Sequence, residues 1–367
     1  MNMFNAIPQF FLLAIKKIKS FCFRLIINGL NKKDEVNYFI QLLLRKSEKI
    51  SNSYTTYHQR PISTNSLNTY SDNFKKIPLT AIVIQGPIVF ENDFTKNTID
   101  LYRKHFKQAI IILSTWEDQN IPEAFYDNDF IHLILNKKPA NAGIGNINYQ
   151  IVSSLSGILK AKQLGAKYVM KTRTDQRMYA PNIEEYLLNL LDVFPPVNKE
   201  IQQARLIALS FNTFKYRLYS VSDMMIFGEI SDMLNFWECT LDSRHTITVD
   251  PKNIMSFSKE RICEVYLVTN YLDKLGVDWS WDINKSLELI SKLFIIIDKE
   301  TIDLFWPKYS VLENRWLSYD AIRTSQELYF RDWLILNSTN SIDGFEIDST
   351  LNFTDIILSN RKNQLLS

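Results

Sequence analysis

Lys171, Arg173, Asp175 and Arg177 fall at every second position of the stretch Gly165-Ala-Lys-Tyr-Val-Met-Lys-Thr-Arg-Thr-Asp-Gln-Arg177. In an extended chain alternate side chains share a face, so Val169, Lys171, Arg173 and Asp175 project together, opposite Met170, Thr172 and Thr174. Open α/β sheets bind ligands beyond the carboxyl ends of their strands, which is where Arg173, Asp175 and Arg177 would sit. Clustered cations with one acid suit an anionic ligand, met directly or through a divalent metal between acid and ligand. The competing reading is a strand end whose charges satisfy one another as ion pairs.

Other candidate groups lie at the ends of apolar runs. Leu79 to Ile84 stops at Gln85-Gly86-Pro87, a first strand and glycine turn of the kind that receives a nucleotide in α/β enzymes. Neither GxGxxG nor GxxxxGK[ST] is present. The run from Ala109 ends in Thr115-Trp116-Glu117. The loop Asn136 to Gln150 crowds Asn141, Gly143, Gly145, Asn146 and Asn148, amides able to read sugar or base hydroxyls, or an ordinary turn-rich connection. Ser222-Asp223 precedes the apolar run to Gly228, so the Asp223 carboxylate either binds substrate hydroxyls or caps a turn. Glu264 is a lone acid beside the apolar face of a helix. Around Asp278, Trp279, Trp281 and Asp282, aromatics and acids mix, as in a carbohydrate site or a packed rim.

These groups need a framework. Strands are predicted at Leu79–Ile84, Ala109–Ser114, Phe130–Leu135, the Tyr168 stretch, Arg205–Phe211, Val221–Gly228 and Leu293–Ile297. Helices are predicted at Asn92–Phe106, Ile151–Leu164, Glu184–Phe194, Ser231–Cys239 and Glu260–Leu275. The alternation predicts an α/β fold, a doubly wound and mostly parallel sheet flanked by helices, with Leu79–Ile84 central and the Lys171 strand beside it. Arg244 to Ser258 reads as a mobile loop over the site.

Ahead of this framework, Phe4 to Leu30 is apolar and aromatic, yet interrupted by Lys16, Lys17, Lys19 and Arg24. The cations argue against a membrane span, and the absence of a small-residue cleavage site argues against a signal peptide. A basic amphipathic helix lying on an anionic membrane fits, as does a terminal helix packed on the domain. The predicted organisation is an amphipathic, membrane-proximal helical segment over 1–50, a linker over 51–76, the main domain over 77–316 and a C-terminal appendage over 317–367.

The 367-residue chain is 46% hydrophobic and 22% charged, ordinary for a globular protein. Its net charge of +2 gives no electrostatic footprint for nucleic acid. Three cysteines with no CxxC, and four scattered histidines, His58, His105, His132 and His245, point away from a disulfide framework or zinc site and toward the cytoplasm.

Ala81-Ile-Val-Ile-Gln-Gly-Pro87, Ile111-Ile-Leu-Ser-Thr-Trp-Glu117, the Gly165–Arg177 block and Ser222-Asp223 through Phe227-Gly228, in their order and spacing, resemble the WavE lipopolysaccharide synthesis family. The resemblance runs from Ile77 to near Trp316. It implies a bacterial protein of surface-polysaccharide assembly, similar in pattern to GT-A glycosyltransferases. By that likeness a nucleotide-sugar is the donor and a lipopolysaccharide core or related glycan or glycolipid is the acceptor. The basic N-terminal segment and the cysteine usage, outside the resemblance, lead to the expectation of a cytoplasmic protein peripheral on the inner face of the cytoplasmic membrane. Gln85, Gly86, Pro87, Trp116, Glu117, Asn148, Lys171, Arg173 and Arg177 are then expected to hold the donor. Asp223 is expected on the sugar, and Glu264 as the base on the acceptor hydroxyl, with Asp223 the alternative for that role. Asp175 takes the place of the metal-binding acidic motif, which leaves a divalent cation, manganese or magnesium, open. The usual motif has two acids and this chain has one, so Arg173 and Arg177 are the alternative neutralisers of the diphosphate. A catalytically inactive scaffold of a polysaccharide-assembly complex, or a transferase of phosphoryl-linked groups, are the competing classes.

Overall fold

The structure, a computed structural model, describes residues 6–51, 54, 57–63, 78–106, 108–126, 130–247, 254–307 and 326–339. The chain divides into two compact units, Met1–Pro61 and Ile62–Ser367.

The first unit holds two helices, α1 (Ala6–Gly29) and α2 (Lys33–Ser51). Phe23 of α1 meets Phe39 of α2 at a ring-centroid separation of 5.6 Å. Ile18, Phe21, Leu25 and Ile26 of α1 are exposed. Among the described residues no helix is long and apolar enough to cross a membrane. Most of the expected 51–76 linker lies outside the described residues.

In the second unit the strands are β1 (Thr80–Gln85), β2 (Ile110–Trp116), β3 (Ile131–Asn136), β4 (Tyr168–Arg173), β5 (Arg177–Met178), β6 (Leu206–Leu209), β7 (Ile226–Glu229), β8 (Phe294–Ile297) and β9 (Leu304–Phe305). The helices are α3 (Phe94–His105), α4 (Glu123–Tyr126), α5 (Ile147–Gln163), α6 (Ile183–Val193), α7 (Ile230–Trp237), α8 (Ile254–Lys259), α9 (Glu264–Leu275), α10 (Ile283–Leu293) and α11 (Phe330–Thr339).

Among the described residues seven strands form one sheet in the order β3-β2-β1-β4-β7-β6-β8, and β5 pairs with β9 in a second, two-stranded sheet. Every residue of β1 is buried, as a central strand covered on both faces requires. β1 pairs in parallel with β2 and β4, and the register sets Gln85 opposite both Ser114 and Arg173. The expected α/β sheet, with the Lys171 strand beside β1, is therefore present.

β7 is the exception, antiparallel to both β4 and β6. Lys171 pairs with Ile226 and Tyr168 with Glu229. The chain leading into β7, Ser222 to Met225, thus arrives at the same edge at which β4 ends. The sequence reading placed a strand over Val221–Gly228 without its direction. The direction is what brings Asp223 to the site.

Two segments differ from expectation. α10 follows the Trp279–Asp282 segment, and the Asp282 side chain caps it by accepting from the Lys285 amide at 2.9 Å. Trp279 and Trp281 pack edge-on against Tyr219, so this segment is a packed rim. The described part of the expected C-terminal appendage belongs to the core. Trp333 of α11 is fully buried, and its indole N–H donates to the Phe294 carbonyl at 2.7 Å. Upstream of α11, Glu327 pairs with the buried Lys299 at 2.6 Å. Residues 248–253, inside the loop expected over the site, lie outside the described residues.

Candidate substrate-binding site at the carboxyl edge of the sheet

The ends of β1, β2 and β3 are joined below the surface by polar contacts. Asn136 Nδ2 donates to Ser114 Oγ at 2.8 Å, Ser114 Oγ donates to the Ser153 carbonyl at 2.7 Å, and Ser153 Oγ donates to Gln85 Oε1 at 2.8 Å. Gln85 is thereby fixed from α5. Gly86 has φ +114°, and a Cβ there would lie 3.1 Å from Thr174 Oγ1, so the turn needs glycine on both counts. Thr174 returns the contact, its hydroxyl donating to the Pro87 carbonyl at 2.6 Å and its amide to the Gln85 carbonyl at 3.0 Å. The Gln85-Gly86-Pro87 turn is thus built against the exit of β4. Trp116 is buried edge-on against Tyr149, and Glu117 beside it is exposed.

At the end of β4 the expected cluster resolves into three different roles. Arg173 and Asp175 clasp each other, Nε to Oδ1 at 2.7 Å and a terminal nitrogen to Oδ2 at 2.8 Å. The pair is half-buried, and the guanidinium lies 5.6 Å from the Trp306 ring centre. Lys171 is completely buried. Its ammonium donates to the Asp223 carbonyl and, at 3.4 Å, to Gln150 Oε1, and lies 4.7 Å from the Trp237 ring centre. Burial pulls its pKa down to about 7, with Arg173 acting in the same sense, and Asp223, Asp175 and Glu264 acting against it.

Arg177 stands apart from this cluster, and the expectation that it meets a diphosphate is corrected. It is buried in β5, where Nε donates to Thr98 Oγ1 at 2.9 Å and the terminal nitrogens donate to the Tyr179 hydroxyl and to the carbonyls of Phe94 and Ile62 at 2.9–3.0 Å. Its guanidinium also lies 4.3 Å from the Phe94 ring centre and 5.5 Å from that of Tyr179. It ties α3 and the Ile62 segment to β5, and a ligand would have to break those bonds to reach it.

Asp223 and Glu264 come to the same place from different elements. Asp223 is buried, and among the described residues no protein group hydrogen-bonds its Oδ2. A buried carboxylate oxygen without a protein partner is costly unless a donor from a ligand or a water meets it. Glu264 opens α9 and faces Arg217 at 3.8 Å. The start of α9 is held by a close approach: a Cβ on Gly145, which has φ +63°, would lie 2.3 Å from Cys263 Sγ. Asn148 serves this architecture. Its amide nitrogen donates to the carbonyls of Asn141 and Asp242, and its oxygen accepts from the Asp242 amide at 2.7 Å. Those bonds occupy the side chain that the sequence reading set against the donor. Asp242 in turn carries Arg244, whose guanidinium reaches the carbonyls of Glu260 and Arg261 just ahead of α9.

Arg217 and Trp306 were missed from sequence. Both sit in aperiodic, aromatic-rich segments whose pairing partners are remote in the chain, so no local pattern marks them.

The donor set does not fit a protein-held divalent cation. Asp175, expected as the metal ligand, is the counter-ion of Arg173, with both oxygens engaged. Among the described residues no group of three or more His, Cys, Asp or Glu side chains is gathered to hold a metal.

The doubly wound sheet, with its one reversed strand and its charged edge, defines an α/β fold. Residues 80–363 match the WavE lipopolysaccharide synthesis family, and the chain belongs to it. That membership ties the protein to lipopolysaccharide synthesis. No curated protein matches the chain. Among solved structures it is similar to a 4-diphosphocytidyl-2C-methyl-D-erythritol synthase at 9% identity and a TM-score of 0.30, covering 56% of this chain and 87% of that one. It is also similar to HddC from Yersinia pseudotuberculosis, complexed with GMP-PN, at 9% identity and a TM-score of 0.28, covering 43% and 79%. A third similarity is to mannose-1-phosphate geranyltransferase from Thermus thermophilus, at 14% identity and a TM-score of 0.24, covering 45% and 54%.

Proposed function

We propose that this protein is a glycosyltransferase that moves a sugar from a nucleotide-sugar to a lipopolysaccharide core or related surface glycan. The observation that carries the reading is that the Arg173–Asp175 pair ends the same strand, β4, whose Lys171 bonds to the Asp223 carbonyl on the approach to β7, with Glu264 at the start of α9 close enough to bear on the Lys171 charge. An anion-binding guanidinium and two further acids at the carboxyl edge of an α/β sheet meet the needs of glycosyl transfer.

In this reading the donor's nucleotide lies over the Gln85-Gly86-Pro87 turn, with Trp116 and Glu117 at its side. Arg173, held in orientation by Asp175, receives the diphosphate. The bond from the anomeric carbon to the diphosphate oxygen breaks, and its electron pair leaves on the diphosphate, where Arg173 offsets the growing charge. The acceptor hydroxyl oxygen forms the new bond to the anomeric carbon. Its proton passes to a carboxylate, and Asp223 suits that role better than Glu264, because Glu264 faces Arg217 while one Asp223 oxygen is unpaired. No step runs through a metal.

We place the work at the inner face of the cytoplasmic membrane. α1 carries Lys16, Lys17, Lys19 and Arg24, contains no Asp or Glu, and exposes Ile18, Phe21, Leu25 and Ile26, which suits an anionic lipid surface.

The test of the transferase reading is incubation of the purified chain with a panel of nucleotide-sugars, following release of the nucleoside diphosphate. One donor turned over above background, and faster with a glycan acceptor, is the expected result. A chain that binds but turns over no donor is the inactive scaffold, which the single-acid motif favours.

A further inference from the structure

Lys171 and Gln176 flank the Arg173–Asp175 pair, and both are completely buried. Their donors end on one short segment. Lys171 Nζ donates to the Asp223 carbonyl, and Gln176 Nε2 donates to the next carbonyl, that of Met224, at 2.9 Å. Gln176 Nε2 also donates to Thr172 Oγ1 at 2.7 Å, which anchors it to β4. The same segment is held from its other side, where the Ser222 amide donates to Thr213 Oγ1 at 2.9 Å. Each of these groups addresses the backbone of 222–224, and Asp223 Oδ2 remains unpaired.

A carbonyl held by a side chain is a fixed point, and two successive fixed points set the orientation of the peptide between them. Here that peptide joins Asp223 to Met224, so the clasp fixes the Cα from which the unpaired carboxylate springs. Holding a reacting group within a fraction of an ångström is worth large factors in rate, and a displacement of about 1 Å costs on the order of a hundredfold.

We propose that Lys171 and Gln176 are positioning residues for Asp223, and that Lys171 does not bind the donor's diphosphate. The expectation that Lys171 is a donor ligand is replaced by this role. The proposal rests on the transferase reading for its kinetic consequence alone; the structural part stands independently.

The experiment uses the full chain with three substitutions, Lys171→Met, Gln176→Leu and Lys171→Arg. For the donor that the wild type turns over, Lys171→Met and Gln176→Leu should each lower kcat by about a hundredfold while the donor KM stays within about twofold. Lys171→Arg, which keeps a charged donor, should recover part of that loss. A donor KM raised by tenfold or more with kcat unchanged would make Lys171 a ligand and overturn the proposal. Crystal structures of Lys171→Met and Gln176→Leu supply the arm that needs no activity: residues 222–224 should be displaced in both. A segment unmoved in both overturns the clasp, whatever the kinetics. If the wild type turns over no donor, the transferase reading fails by itself and the crystal structures still decide. Should Lys171→Met not fold, Gln176→Leu and Lys171→Arg carry the same comparisons.

Discussion

Arg173 and Asp175, two residues apart at the exit of β4, form a bidentate ion pair with bonds of 2.7 and 2.8 Å. The pairing fixes the plane of the guanidinium and neutralises the only acid of the motif. Asp175→Ala should therefore remove that bidentate constraint on the Arg173 guanidinium. We expect transfer to fall about a hundredfold and stability to fall by about 1.5–3 kcal/mol, the scale of a charge-assisted hydrogen bond. Urea unfolding beside steady-state kinetics checks both. Full activity, or loss of the fold, would make this stretch structural.

Arg177 should behave in the opposite way. Arg177→Met removes a donor from the carbonyls of Phe94 and Ile62 and from the hydroxyls of Thr98 and Tyr179. At about 1.5–3 kcal/mol for each hydrogen bond to a charged group, losing several of them costs at least about 3 kcal/mol. The variant that remains folded should keep its donor KM. A KM raised by tenfold in a variant of normal stability would return Arg177 to the phosphates.

The central strands were legible in the sequence because Ala81 to Ile84, Ile111 to Leu113 and Val169 to Met170 are apolar runs that end in polar residues. The same pattern places Gln85 and Arg173 at one edge, as their register confirms. What was not legible has physical reasons. Alternation assigns a face to a side chain and says nothing of strand direction, so the reversal of β7 was invisible, and with it the contact between Lys171 and Asp223. Charge type does not distinguish a ligand-facing arginine from one that satisfies buried carbonyls, hence the misplaced Arg177. α10 carried a readable signal, an Asp282 cap followed by Leu287 and Ile290, which the neighbouring tryptophans obscured.

Lys171 gives a pH signature to stability. Its pKa lies near 7 in the fold against an ordinary 10.5, with burial the leading cause. Between those values the unfolded chain binds the extra proton, so this group's contribution to stability rises with pH across the window and its penalty is complete below it. The charged groups acting on it are Arg173 and Asp175 from its own strand and its exit, Asp223 from the approach to β7, and Glu264 from α9. The stability of Lys171→Met relative to wild type should be greatest at pH 6 and should decline by at least about 1 kcal/mol by pH 9. Denaturant titrations at the two pH values measure this, and a pH-independent difference would contradict it.

Removing metal ions should leave transfer within about twofold of its untreated rate, because Arg173 rather than a cation neutralises the leaving group. The check is the donor turnover rate before and after dialysis against chelator. Activity abolished by chelator and restored by manganese or magnesium would mean that the Arg173–Asp175 pair opens to admit the ion.

Deleting residues 1–30 should release the protein from anionic vesicles while the α/β unit keeps its unfolding midpoint. Sedimentation with vesicles containing phosphatidylglycerol decides the first point, and thermal unfolding the second. A truncated chain that still sediments with the vesicles, or that no longer folds, defeats the assignment of α1 to the membrane.

The most direct measurement is a crystal structure of the chain with the nucleotide-sugar that it turns over, or with the corresponding nucleoside diphosphate. The account predicts the nucleotide over Gln85-Gly86-Pro87, a diphosphate oxygen within hydrogen-bonding distance of Arg173, and a sugar or acceptor hydroxyl on Asp223 Oδ2. A ligand bound elsewhere, with no phosphate oxygen on Arg173 and no hydroxyl on Asp223 Oδ2, would contradict it.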